Sequence, residues 1–223
     1  MFSDKGEFSQ YRKEDGNMEK TTMKFSKVLP VAAVVVLTLV GCGGGGSDSV
    51  AATPSNSGSI TACFTANSTV NFAVVVSNAP ANSVVANRST VGPMTYNGQA
   101  VTGQTLFLPS GSTTYTQNVY WTVTSSGVTT IAEVDPNGTV TVDGMFFPQN
   151  MSAGQTATNS KNDVQTFVGF ETITLAGRIF SNTCHIKEVD SLGNQTEGWY
   201  APGYGMVKNN GGSGLAWQYN GDL

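Results

Sequence analysis

Hydrophobic and polar positions alternate at period two over much of the chain after residue 59. Val70, Phe72, Val74 and Val76 fall on one face of an extended segment. Tyr115, Val119, Trp121 and Val123 repeat the pattern, with Thr116, Asn118, Thr122 and Thr124 opposite. Leu215, Trp217 and Tyr219 alternate with Ala216, Gln218 and Asn220. β-branched and aromatic residues dominate these runs, because they pack well on a pleated surface. Between the runs lie Asn97-Gly98, Ser126-Gly127, Asp135-Pro136-Asn137-Gly138, Asp143-Gly144, Leu192-Gly193-Asn194 and Asn209-Asn210-Gly211-Gly212. Such residues supply the positive φ that tight hairpins need. No amphipathic helix of about ten residues is evident, and 148–162 reads as a long loop. The pattern predicts an all-β fold: an antiparallel meander forming an open or partial barrel, with a β-sandwich as the alternative. Residues 59–223 form one β-domain, long enough for a single core.

The segment before this domain is organised differently. Lys24 and Lys27 precede an apolar run from Val28 to Val40, broken only by Pro30 and Thr38. A helix needs about 20 apolar residues to span a bilayer, so this run suits the h-region of a signal peptide, residues 23–41. It ends in Leu39-Val40-Gly41-Cys42, which resembles the lipobox of bacterial lipoproteins. The resemblance implies cleavage after Gly41, diacylation of the Cys42 sulfur and acylation of the new amino terminus. Several acyl chains hold a protein stably where one holds it marginally. Residue 43 is Gly rather than Asp, and by the sorting pattern of enteric lipoproteins this implies the outer membrane. Residues 42–58 then read as lipid anchor and Gly/Ser-rich linker, with a reach of roughly 20–25 Å. The Gly run lacks the Lys-Ser/Thr of a phosphate loop. Residues 1–22 carry five acids, Asp4, Glu7, Glu14, Asp15 and Glu19. They read as an extension of the gene model or an extended n-region.

Charge narrows the partners. From Cys42 onward there are five Lys and Arg against ten Asp and Glu, a balance of −5. So few cations leave no footprint for a phosphate backbone, and nucleic acid is excluded as a partner. The expected partners are the membrane, through the anchor, and an apolar ligand or an envelope protein.

Three cysteines are present. With Cys42 acylated, Cys63 and Cys184 remain in an oxidising compartment, and a disulfide between them is expected. It would tie the first strand to a late one and close a loop worth roughly 4–5 kcal/mol of chain entropy as an upper figure.

Chemistry is sparse. His185 is the only histidine. Neighbours on a strand point to opposite faces, so with Cys184 and Ile186 inward, His185 and Lys187 are expected to face solvent. One histidine supports no multi-His metal site. Glu133, Asp135, Asp143, Asp163, Glu171, Glu188, Asp190 and Glu197 are scattered along the chain, and nothing in the sequence pairs them as glycoside hydrolysis would require. No Gly-x-Ser-x-Gly elbow precedes His185. No catalytic residue, metal or cofactor is expected, and a hydrolase is the weakest reading.

The most distinctive stretch is Trp199-Tyr200-Ala201-Pro202-Gly203-Tyr204-Gly205-Met206-Val207-Lys208. With Phe167 to Lys187 before it, it resembles uncharacterised β-rich bacterial envelope lipoproteins. They carry a Trp/Tyr-Ala-x-Gly-x-Gly-x-Val-Lys signature between late strands. The resemblance implies an open or partial barrel, akin to the carriers of the lipoprotein-localisation pathway, and brings no catalytic residues. Trp199, Tyr200, Tyr204, Trp217 and Tyr219 have two readings. They form an apolar or sugar-stacking ligand surface, or they pack the core and close the barrel. The leading functional expectation is a non-enzymatic envelope lipoprotein with a ligand-binding domain. The alternative is a structural or protein-interaction module of the envelope.

Overall fold

The computed structural model describes residues 9–14, 17–22, 58–77, 85–110, 112–142, 144–159, 161–211 and 216–223. The lipobox with Cys42 and most of the tether lie outside them. Strands β1 (Ser9–Glu14) and β2 (Asn17–Thr22) form a separate two-stranded antiparallel ribbon.

Every other strand belongs to one antiparallel sheet. One half is the meander β3 (Val70–Ser77), β4 (Arg88–Tyr96), β5 (Gln99–Ser110), β6 (Thr113–Val123), β7 (Gly127–Val134) and β8 (Val140–Val142). β9 (Phe146–Pro148) pairs with the start of β7, while β8 pairs with its end. The other half is the meander β10 (Thr156–Thr158), β11 (Val164–Leu175), β12 (Arg178–Val189), β13 (Gln195–Ala201), β14 (Gly205–Gly211) and β15 (Ala216–Asp222). The halves are stitched where the last strand pairs with β3, setting Trp217 against Val76 and Tyr219 against Val74. The sheet's outermost strands, β10 at one end and β8 with β9 at the other, do not pair with one another. The fold is therefore an open barrel, as the hydrophobic alternation predicts, and both edges are short.

The hairpins follow the turn chemistry. Asn97 and Gly98 take φ of 49° and 79° between β4 and β5, the twist that two-residue hairpins require. Ala176 and Gly177 do the same between β11 and β12, with φ of 45° at the alanine. Two expectations are corrected. Asn209, Asn210 and Gly211 do not form a turn but complete β14. The span 148–162 is not wholly loop: β10 forms within it and covers the edge of β11.

Cys63 also differs from its expected place. It lies not on a strand but on α1 (Ile60–Phe64), a five-residue helix. So short a helix gains little from propensity and is held by tertiary contacts. Ile60, Cys63 and Phe64 are buried against β6, β7, β12 and β13. Ile60 N donates to Gln149 O, and the Trp121 indole Nε1 donates to Phe64 O. Cys63 is disulfide-bonded to Cys184 of β12, 121 residues away, with a Cα–Cα separation of 6.0 Å. The helix thus plugs the concave face and is stapled to it.

Replacing both cysteines, Cys63→Ala with Cys184→Ala, is expected to lower stability by about 2–4 kcal/mol. Urea unfolding of wild type and variant checks this, and an unchanged midpoint would show that packing alone holds the plug.

Candidate functional site

The concave face is only partly filled. Phe64 of α1 packs on Tyr200 at 4.5 Å between ring centroids, on Phe147 at 6.1 Å and edge-on to Trp121 at 5.7 Å. These rings make the floor of a cavity of about 290 Å³. The remaining apolar wall is Leu106, Val119, Ile186, Met206 and Trp217. The polar wall comes from both ends of the sheet. On β6 and β7, Gln117 Nε2 donates to Glu133. On β11 and β12, Gln165 Nε2 donates to Glu188 at 2.6 Å. The lumen is therefore amphipathic, with carboxylates and amides opposite aromatic and aliphatic groups.

Gln104 of β5 crosses this face and holds β14. Its Nε2 donates to Met206 O at 2.8 Å and to Ser89 Oγ at 2.9 Å, while its Oε1 accepts from Met206 N at 3.0 Å. Among the described residues, β14 pairs with β15 at Lys208–Gln218 and Asn209–Trp217. The Met206 peptide groups lie beyond that short ladder, and the amide of Gln104 serves them as a neighbouring strand would. Nothing in the sequence marks this glutamine, since its partner is 102 residues away.

The outer face carries a second arrangement. His185, Trp199 and Lys208 form a row across β12, β13 and β14. The imidazole stacks on Trp199 at 4.3 Å, and Lys208 Nζ lies 4.2 Å over the indole. Glu171 binds His185 Nδ1 at 2.8 Å and accepts from Trp199 Nε1 at 3.1 Å. His185 does leave the core face, as alternation requires, but it is not solvated: its side chain is 12% exposed. The reason is its neighbours across the ladder: Trp199 stacks on the imidazole and the Glu171 carboxylate meets Nδ1, with Gly169 opposite His185. His185 Nε2 is buried without a hydrogen-bond partner, and Glu197 at 3.8 Å is beyond hydrogen-bond reach.

The acidic residues are thus more organised than their scatter suggests. Asp135 and Asp190 accept backbone N–H groups within their own turns, as turn residues do. Glu171 pairs with His185, whereas Glu133 and Glu188 face the lumen.

The five C-terminal aromatics separate into three places. Tyr200 and Trp217 line the lumen. Trp199 belongs to the outer row. Tyr204 and Tyr219 pack with Phe72 and Phe180 in a cluster that closes the other end of the core. Arg178 covers this cluster, 4.5 Å over Tyr204, and pairs with Asp222, to which the Tyr204 hydroxyl donates at 3.2 Å. Burial pushes the Tyr204 phenol above its ordinary value of 10.0 despite the opposing pull of Arg178, and Asp222 adds to the rise.

Comparison of the chain with protein-family models, with curated proteins and with solved structures finds no match. The site must be read from its own chemistry.

Two outcomes follow from this geometry. Gln104→Leu is expected to lower stability by about 2–4 kcal/mol, because buried peptide groups of Met206 lose their partner; urea unfolding reads this directly. Tyr204 keeps its proton in the folded state at a pH where the unfolded chain has released it. The unfolded state then binds fewer protons, so stability falls as pH rises through about 10 and beyond. The urea midpoint is expected to drop between about pH 9 and pH 11, and Tyr204→Phe to reduce that drop.

Proposed function

We propose that this protein is a lipid-anchored envelope lipoprotein of the outer membrane whose β-domain holds a small amphipathic ligand in the lumen of its open barrel. The observation that carries the reading is the unfilled concave face. A sheet that needed only a core would fill it, yet α1 plugs one part and leaves about 290 Å³ beside it. That volume is at the small end of ligand pockets, about 300–1,000 Å³. The two-sided lining suits a ligand with one apolar and one hydrogen-bonding part better than the purely apolar ligand expected from the aromatics alone. The lipobox and the glycine-rich linker support the tether, which keeps the domain near a membrane surface where amphipaths concentrate.

A second reading, an envelope interaction module, is favoured by one observation. Val140, Val142 and Phe146 are exposed along the β8–β9 edge, and an apolar open edge is suited to taking a partner's strand.

Native mass spectrometry of the protein released from membranes in mild detergent separates the two. The expected species begins at an acylated Cys42, contains the Cys63–Cys184 bond and carries one small adduct that leaves on denaturation. Cys42→Ser is expected to remove the acyl mass. An empty oxidised species, from protein handled without dilution or dialysis, would move the reading to the interaction module. An unprocessed, unacylated chain would overturn the anchor.

A further inference from the structure

The two ends of the barrel differ in chemistry. Successive turns of an antiparallel meander alternate between its ends, so the turns at 97–98, 124–126, 176–177 and 202–204 share one end. The chain enters the domain at this end. Ile60 N donates to Gln149 O, and Gln149 N donates to Ser126 O in the β6–β7 turn. Three hydrophobic side chains stand on its outside, on separate strands. Phe146 of β9 is 44% exposed, and its ring lies against Gly127, where a Cβ would come within 2.9 Å of it. Ile179 of β12 is 67% exposed beside the 176–177 turn. Tyr96 is half-buried beside the 97–98 turn, stacked on Tyr120. Among the described residues, the charged side chains at this end are Arg178 and Asp222, and they pair with each other.

The far end carries the acids. Asp135 and Asp190 sit in its turns, and Asp163 accepts from Ser191 N there. Glu133 and Glu188 stand on strands leading to those turns. The described cations there, Arg88, Lys161 and Lys187, are fewer. The polar wall of the lumen belongs to this half. The plug lies toward the entry end, where Gly203 N donates to Thr65 O just after α1.

Length decides which end a tethered domain turns to a membrane. Residues 42–57 have a usual reach of roughly 20–25 Å. β11 and β12 run 12 residues each, which is roughly 40 Å of strand at about 3.3 Å per residue. The entry end lies within reach of the head groups, whereas seating the far end would stretch the tether beyond its usual span. Surface chemistry agrees. Exposed apolar and tyrosine side chains suit the interface, the paired ions carry no net charge, and acids at the far end are repelled by anionic head groups. A weak contact is enough, because the tether makes it intramolecular.

We propose that the entry end of the barrel seats on the lipid head-group surface through Tyr96, Phe146 and Ile179, so that the lumen opens away from the bilayer. This rests on the Cys42 anchor and names the orientation that the anchored domain takes.

The test uses the acylated protein, purified in mild detergent and reconstituted into phosphatidylcholine vesicles with brominated acyl chains. Phe146→Trp and Ile179→Trp place reporters at the entry end, and Leu192→Trp places one in the far turn, at a position 58% exposed. Each is read against wild type, whose own tryptophans give the background. The bromines are expected to remove most of the added emission at 146 and 179 and to leave that at 192. The far reporter also controls for any pull that a new tryptophan itself exerts toward lipid. Urea midpoints check the fold of each variant. Hydrogen exchange of wild type serves where one is disturbed: on vesicles rather than in detergent, exchange is expected to slow at the 97–98 and 176–177 turns and not at 190–194. Quenching at 192 would overturn the orientation. If either entry-end reporter stays unquenched while the protein remains on the vesicles, the seating falls and the anchor stands. Entry-end reporters shielded without quenching, in a protein of doubled native mass, would give this surface to a second copy instead. Protein that washes off the vesicles would sink both seating and anchor.

Discussion

An incompletely closed sheet must find something to cover its concave face, and here that cover is one turn of helix. Apolar side chains on the inside of the barrel have no second sheet to pack against, and leaving them wet would forfeit roughly 25 cal/mol for each Å² of burial. Phe64 supplies the cover by reaching rings from β6, β9 and β13 at once. A helix of five residues cannot supply its own stability, so its position is fixed from outside by the disulfide to β12 and the Trp121 indole. The size of the plug also sets how much of that face stays open. Because α1 covers only the area under β6, β7, β12 and β13, the space above Phe64 stays open as the lumen.

The same economy governs the middle of the sheet. The two meanders meet at β15 and β3, and the ladder between β14 and β15 is short. Gln104 compensates from across the lumen, so one side chain both completes the hydrogen bonding of β14 and shapes the cavity wall. Gly205 is shaped by this closeness: a Cβ there would lie 3.1 Å from Gln104 Oε1 and from Val91. Its φ of 61° also favours glycine. The Gly205 of the distinctive C-terminal stretch is therefore explained by packing at the foot of the lumen.

What was legible in the sequence is what depends on neighbours along the chain. Alternation at Val70–Val76 and the turn at Asn97-Gly98 each fix local geometry, and they led directly to an open antiparallel barrel. The Cys63–Cys184 pair was legible by chemistry, through the removal of Cys42 from the count. The helix bearing Cys63 was not, because one turn leaves no periodicity to detect. The lumen acids and the His185 row were also illegible. Glu133 and Glu188 become one wall only through curling of the sheet, and His185 meets Trp199 and Glu171 only through register across three strands. His185 shows the limit of a correct local rule. Alternation places it on the outer face, yet cannot tell that this face is covered by a tryptophan.

The shape of an open barrel alone would suggest a greasy cavity for acyl chains. The lining argues otherwise. A carboxylate beside an apolar cavity is costly to desolvate, and a wall that served hydrocarbon alone has no use for two of them. Each accepts a hydrogen bond from a glutamine amide. The open barrel then supplies enclosure, while the two Gln–Glu pairs fix the polar side of its wall.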